Sequence, residues 1–254
     1  MSDGEAFVRA FHDAQPGVTA RAFARGGSYA RLAAVVPAAA RRVLDLACGD
    51  GELLALLGRR AVGIDSSAGE VRAARARGVC AVQARAQALP FAAAGFDAVT
   101  CHLALMLMPD LDAVAAEIAR VLAPGGVLAA VVGGGPVASD DDGVYERWLA
   151  ATRSAREALS PLALGDRRAS REEGWAAAFG PHGFGAIAFD RCEVDLGGPR
   201  ADVFAVLATS YDCARLGPEL LAAAFAVATA GHPGAHIPLR AVVWLARATR
   251  GPVP

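Results

Sequence analysis

Two carboxylates and two glycines between residues 45 and 65 have the residue types and spacing of a ligand-binding turn. Asp45 lies in the apolar start of VLDLACGDGELLALLG, residues 43–58, and can accept hydrogen bonds from an ammonium or hydroxyl group. Gly49 and Gly51 follow it, and glycine lets the backbone turn sharply against a ligand. Asp65 ends a second apolar segment, AVGID, where a carboxylate can bind the hydroxyls of a ribose. The pattern predicts a nucleoside-binding site.

The turn differs from a phosphate-binding loop in spacing and in charge. In GxGxxG loops a third glycine follows and the acidic residue lies about 20 positions further on. Here the third position is Leu54, and Asp65 comes much sooner. Asp50 and Glu52 also add negative charge where a pyrophosphate needs N–H donors. These differences favour a cationic nucleoside over a dinucleotide.

Strand-like and helix-like segments alternate along the chain, which predicts an α/β fold. A strand, a turn and a helix are expected within residues 43–58. Further strands are predicted at 61–65, 96–102, 127–132, 185–194 and 237–249. Helices are predicted at 4–14, 28–36, 111–122, 199–209 and 218–229, and broken helical segments at 143–180. In parallel α/β sheets ligands bind where strands end, which is where Asp45 and Asp65 lie.

The motifs DLACGDG, GID, RAQALPF, FDAV, HLALMLMPD and LAPGG occur in that order between residues 44 and 126. The segment around them, about residues 29–135, resembles class I S-adenosylmethionine (SAM) dependent methyltransferases of the ubiquinone/menaquinone methyltransferase-like branch. The resemblance implies one domain over 1–254, built on a Rossmann-like, doubly wound, seven-stranded sheet that is mostly parallel with an antiparallel edge strand. It also implies a helical N-terminal arm, 1–36, and a helical lid, 139–180, over the active site.

The same resemblance assigns the cofactor, SAM, and the residues that bind it. Arg85 stands where the family usually has an acidic residue, and arginine cannot accept the hydrogen bond of the adenine amine. Gln87 and the backbone of Ala86 are the alternative adenine contacts. The predicted cofactor-binding residues are Arg25, Tyr29, Asp45, Ala47, Gly49, Gly51, Asp65, Ser66, Ala86, Gln87 and His102.

Catalysis of methyl transfer requires positioning and exclusion of water, and a general base only when the acceptor must lose a proton. His102 is the candidate base, with cofactor contact or acceptor positioning as alternatives. Tyr29 either faces the sulfonium or packs the arm, and Arg25 either pairs with the methionyl carboxylate or is exposed. His12 is interpreted as a packing residue. An acceptor pocket is predicted from Met106, Tyr145, Trp148 and Trp175, with Ser139 nearby.

Composition excludes several other classes of function. The net charge is −1, all 25 basic residues are arginine and no basic cluster contains aromatic residues, so no nucleic-acid partner is expected. The five cysteines form no CxxC pair, so neither a metal site nor a disulfide framework is predicted and a cytoplasmic location is expected. Residues 220–239 contain histidine, proline and glycine, so they are interpreted as a buried helix and loop rather than a membrane span.

Three functional hypotheses follow. The first is a methyltransferase for a small molecule in bacterial secondary metabolism, with an amino acid, polyketide-like or quinone-like acceptor. The second is a cyclase on the same fold, in which the amine of SAM attacks its own γ-carbon and gives azetidine-2-carboxylate and methylthioadenosine. The third, a binding protein without catalysis, is disfavoured by the intact DLACGDG motif. The sequence does not predict the oligomeric state.

Overall fold

A seven-stranded sheet with the strand order β3-β2-β1-β4-β5-β9-β6 organises the computed structural model, which describes residues 2–137 and 143–252. The strands are β1 Val43–Leu46, β2 Ala61–Asp65, β3 Ala81–Gln83, β4 Phe96–His102, β5 Leu122–Pro136, β6 Phe184–Asp195, β7 Gly198–Pro199, β8 His236–Ile237 and β9 Arg240–Arg250. Strands β7 and β8 form a separate small sheet. The expected Rossmann-like architecture is confirmed.

The helices cover both faces of this sheet and the ends of its strands. They are α1 Asp3–Ala14, α2 Val18–Phe23, α3 Ser28–Val35, α4 Glu52–Leu57, α5 Ala68–Ala76, α6 Leu111–Val121, α7 Val144–Glu157, α8 Glu172–Phe179, α9 Arg200–Ala208 and α10 Pro218–Ala228. The segment between the predicted helices 4–14 and 28–36 contains α2. Among the described residues, no helix is long and apolar enough to cross a membrane.

Strands β1 to β5 are parallel, and the order reverses between β1 and β4. From β1 the chain proceeds to β2 and β3 on one side, and then to β4 and β5 on the other. The carboxyl ends of β1 and β4 therefore flank the topological switch point, where a doubly wound sheet leaves a crevice for ligands. The register places Asp45 beside Thr100 of β4 and Gly63 of β2.

The antiparallel strand of the sheet is β9, and it lies one position inside the expected edge. It pairs antiparallel with β5 on one side and with β6 on the other, so β6 is the outermost strand. Burial explains this order, because neighbouring residues such as Val242 and Val243 on both faces of β9 are buried, whereas β6 exposes Asp190 and Arg191.

Alternate residues along the strands pack into two hydrophobic clusters, one on each face of the sheet. Val43 belongs to the first cluster and Leu44 to the second. The predicted lid is divided between them, because α7 contributes Trp148 to the first cluster and α8 contributes Trp175 to the second. Residues 139–142 of that prediction, including Ser139, lie outside the described residues.

Helix α1 begins against the connection between α7 and α8. Gly4 is buried there, and a Cβ on Gly4 would lie 2.0 Å from the carbonyl oxygen of Ala163. Ser2 caps the helix, since its Oγ accepts a hydrogen bond from the N–H of Glu5. The arm is therefore packed closely against a segment that follows it by more than a hundred residues.

Candidate functional site

A cavity lies at the carboxyl ends of β1, β2 and β4, beneath helix α1. The space within it, counted together with its open mouth, is about 1000 Å³. The sheet supplies the floor, and α1 with the start of α2 supplies the roof. The switch point of the sheet has thus become an enclosed site.

Asp45 is a buried carboxylate in the floor of this cavity. It is 2% exposed and accepts a hydrogen bond from Thr100 Oγ1 at 2.9 Å. Burial raises the pKa of Asp45 to about 7, and the bond from Thr100 only partly opposes that rise. A cation in the cavity would stabilise the ionised carboxylate, because no other positive group pairs with Asp45 in the described structure.

The loop after β1 is tied to the end of β2 through Asp65. The two carboxylate oxygens of Asp65 accept hydrogen bonds from the N–H of Gly49 at 3.0 Å and from the N–H of Ser67 at 2.8 Å. Each oxygen keeps a further lone pair for a ligand. Gly49 has a φ of 54°, and the non-glycine residue Ala47 has a φ of 52°, so the loop holds a backbone conformation that is costly for alanine.

His102 ends β4 and stacks on Tyr29 of the arm, with ring centroids 3.7 Å apart and an interplanar angle of 16°. Its Nε2 is 2.9 Å from Ser28 Oγ, whereas its buried Nδ1 has no hydrogen-bond partner in the described structure. Burial lowers the pKa of His102 to about 3, so the imidazole is neutral at physiological pH. An unpartnered buried nitrogen in a cavity wall indicates a hydrogen bond to a ligand.

The roof is fastened to helix α5 by polar contacts. His12 Nδ1 lies 2.8 Å from Glu70 Oε1, and His12 Nε2 lies 2.9 Å from the hydroxyl of Tyr211. Glu70 also accepts a hydrogen bond from the N–H of Gly17. Asp13 accepts from Ser67 Oγ and from the N–H of Gly69, and these bonds hold the pKa of Asp13 below its ordinary value.

The cavity continues past Asp65 to the end of β3. There Arg85 donates from Nε and Nη2 to the two carboxylate oxygens of Glu5 on α1, at 2.7 and 2.9 Å. Gln87 donates from Nε2 to the carbonyl of Pro109 at 2.7 Å, which leaves its side-chain oxygen for another partner. Glu5, Arg85 and Gln87 all line the cavity.

Comparison with known proteins agrees with this architecture. Residues 44–130 match the methyltransferase domain family. Demethylmenaquinone methyltransferase of Mycobacterium marinum is 40% identical over 111 residues, which are 42% of this chain and 48% of that protein. The chain thus spans about half the length of the curated relatives it matches.

Solved structures match over most of the chain. A complex of the Haloferax volcanii Trm112 methyltransferase activator with a methyltransferase matches at 19% identity and a TM-score of 0.59, covering 97% of this chain and 99% of that one. The YcgJ protein of Bacillus subtilis matches at 20% identity and a TM-score of 0.57, covering 89% and 99%. The chain is thus similar to methyltransferases over residues 44–130 and shares their fold over most of its length.

Most of the predicted cofactor residues of this methyltransferase-like chain meet at one cavity. The cavity-lining members are Tyr29, Asp45, Ala47, Gly49, Asp65, Ser66, Ala86, Gln87 and His102. Their contacts with the cofactor remain predictions.

Two predicted cofactor residues do not line the cavity. Arg25 lies at the surface, where its Nη2 pairs with Asp202 Oδ2 at 2.6 Å and its side chain is 60% exposed. Gly51 lies behind the loop, where a Cβ would be 2.5 Å from Val79 Cγ2. The structure thus places Arg25 outside the cavity lining and Gly51 at the tight turn, and their contacts with the cofactor stay predictions.

The four predicted acceptor-pocket residues also lie away from the cavity lining. Trp148 and Trp175 are each at most 1% exposed, and Trp175 Nε1 donates to the carbonyl of Ala169, so both indoles belong to the core. Tyr145 packs against the first hydrophobic cluster and Met106 against the second. Aromatic residues among small apolar ones suit a core as well as a pocket, so the sequence alone does not distinguish the two, and the acceptor contacts of these residues stay predictions.

Several cavity residues were missed from the sequence. His12, interpreted as a packing residue, lines the cavity together with Glu70 and Tyr211. The three belong to distant segments, so no local spacing brings them together. Glu5 was missed for the same reason, although the anomalous Arg85 was a signal that an acidic partner had to come from elsewhere. No group of three or more metal-ligating side chains occurs among the residues described.

Proposed function

We propose that this chain transfers the methyl group of SAM to a small molecule bound in the same cavity. The observation that carries the proposal is the pair of buried carboxylates, Asp45 and Asp65, on either side of the glycine loop at the switch point. Their spacing along adjacent parallel strands suits a ligand with a cationic end and a hydroxyl-bearing end. SAM has both.

The residues present fit this cofactor. Asp45, whose charge is unopposed, would accept hydrogen bonds from the ammonium group. Asp65 would accept from the ribose hydroxyls with the lone pairs left by Gly49 and Ser67. The open backbone at Gly49 allows close approach, since a Cβ there would first meet Glu70 at 3.8 Å on the cavity wall.

SAM supplies the activated methyl group, so the protein has to orient the two reactants and exclude water. The stacked rings of Tyr29 and His102 form a rigid wall in the cavity, and an aromatic face stabilises a nearby positive charge. His102 remains neutral and offers one free nitrogen at Nδ1. It can therefore orient a hydrogen-bonding group of a ligand and is a weak base, which favours an acceptor that reacts without strong deprotonation.

The acceptor in this proposal is small and partly apolar. Leu103, Leu107 and Met108 line the cavity after β4, beside His102. Pockets for small ligands have this composition, an apolar lining with a few placed polar groups. A quinone-like or polyketide-like compound suits it, and the proposal includes a role in bacterial secondary metabolism.

The test begins with the protein and SAM alone. Isothermal calorimetry with SAM and with S-adenosylhomocysteine (SAH) should show binding of both, and a folded protein that binds neither would overturn the proposal. Chromatography of the incubated mixture then separates two reactions on this fold. A methyltransferase forms SAH only when an acceptor is added, whereas azetidine-2-carboxylate together with methylthioadenosine, in excess of a protein-free sample, would identify the cyclase.

A further inference from the structure

The cavity is elongated along the strand order β4-β1-β2-β3, so the parts of a nucleoside ligand can be assigned to positions along it. Asp45 and His102 lie at the β1 and β4 end, Asp65 lies in the middle, and the segment after β3 lies at the far end. If the ribose lies on Asp65 and the ammonium on Asp45, the nucleobase must extend toward β3. This step rests on the proposed function.

Two hydrogen-bond acceptors are fixed at the β3 end. The Glu5 carboxylate is held by both donors of Arg85, and its side chain is only 13% exposed. The Gln87 side chain is oriented by the carbonyl of Pro109, so its own oxygen faces away from that bond. Each Glu5 oxygen retains a lone pair after binding Arg85.

We propose that Glu5 selects the nucleobase of the cofactor by accepting a hydrogen bond from its exocyclic amino group, and that Arg85 positions Glu5 for this contact. An ionised carboxylate accepts and never donates, so it favours a 6-aminopurine and disfavours a 6-oxopurine. Because Glu5 belongs to α1, base selection occurs only when the arm is closed over the cavity.

The replacement Glu5→Gln tests this assignment with almost no change in shape. Arg85 has donors only and contacts both carboxylate oxygens, so with glutamine it keeps one bond, to the amide oxygen, and the NH2 group turns away from Arg85 toward the ligand. The acceptor thus becomes a donor, which suits a 6-oxopurine. The probes are SAH and S-inosylhomocysteine, its 6-oxo analogue, and the measurement is the dissociation constant of each by calorimetry.

The wild-type chain is expected to prefer SAH, and Glu5→Gln to lower that preference at least about tenfold, because a buried polar mismatch discriminates strongly. Asp3→Asn is the matched control, since Asp3 is an exposed acid in the same helical turn and does not line the cavity. It should leave the preference unchanged. Circular dichroism establishes that both variants are folded.

Other outcomes overturn the assignment. If Glu5→Gln weakens both ligands equally, Glu5 only fastens the arm. If the preference survives in Glu5→Gln but is lost in Gln87→Ala, base selection belongs to Gln87. A wild-type chain that binds both ligands with equal affinity refutes base selection while leaving the proposed function intact, and one that binds neither refutes both.

Discussion

The buried position of Asp45 disfavours the ionised form of its carboxylate. Its carboxylate is fully enclosed, and the rise of its pKa to about 7 means that the free protein holds a proton there through the mildly acidic range. In the unfolded chain the same group ionises near its ordinary value, about 3.9. Asp45 therefore lowers the stability of the free protein as pH rises from about 4 to about 7, because the folded state binds more protons over that range.

Replacement of this carboxylate should stabilise the free protein. Asp45→Asn keeps a side-chain oxygen for Thr100 but has no charge to bury. We expect the free energy of unfolding at pH 8 to increase by about 2–4 kcal/mol, with a smaller increase at pH 5. Urea denaturation at the two pH values measures the change. An equal effect at both would show that Asp45 is not protonated in the folded state.

The affinity for the cofactor should rise with pH over the range in which Asp45 lowers the stability of the free protein. The ammonium of SAH needs the ionised carboxylate, so the affinity of the wild-type chain should fall by up to about tenfold per pH unit below pH 7. Asp45→Asn should bind weakly at every pH, with a flatter profile. Thr100→Val should shift the midpoint upward, because the Thr100 hydroxyl lowers the pKa of Asp45. A wild-type profile that stays flat between pH 5 and 8 would contradict this role.

Gly49 offers a test of the loop that does not involve charge. Its φ of 54° is unfavourable for valine, and the new side chain would lie on the cavity wall beside Glu70. We expect Gly49→Val to remain folded and to lose SAH binding. Gly78→Val is the control, because Gly78 has a φ of 86° and open space around it, so it tests strain without obstruction. Retained binding in Gly49→Val would remove Gly49 from the site.

Among the elements, the strands of the sheet could be located from the sequence, whereas the contacts of the arm could not. Local patterns located β2 at Ala61–Asp65 and β4 at Phe96–His102, because apolar residues and turns mark the ends of strands. They could not locate the contact of His12 with Tyr211, since the two are joined only by the fold. Nor could they reveal that Arg25 pairs with Asp202 at the surface, because that partner is distant in sequence.

The arm should respond to cofactor as a unit, whereas the predicted lid should not. Hydrogen exchange on addition of SAH is expected to slow in α1, which covers the cavity, and to stay unchanged in α8, which packs in the core. Tyr211→Phe removes the hydroxyl that bonds His12 and should reduce the protection of α1. Protection confined to the sheet would mean that α1 does not close on the ligand.

At the scale of the whole molecule, the two large tryptophans stabilise the core and are remote from the cavity. Trp148 and Trp175 fill the opposite faces of the sheet and do not reach the cavity. Trp148→Ala and Trp175→Ala should each lower the free energy of unfolding by about 3–5 kcal/mol, the usual cost of removing a large buried side chain. Leu56→Ala, at a site that is 52% exposed, is the control. If either replacement leaves the free energy of unfolding unchanged but abolishes SAH binding, that tryptophan contributes to the binding site rather than to the core.

The close approach of Gly4 to Ala163 has a consequence for the timing of the reaction. The roof begins where this glycine touches a carbonyl group with no space for a methyl group, and a ligand covered by α1 is expected to leave sooner when α1 is displaced. Gly4 therefore influences how long a nucleoside stays bound, although it lies outside the cavity lining. With Gly4→Ala, the chain would release its cofactor sooner and bind it less tightly. The residence time would then depend on the absence of a methyl group at the start of α1.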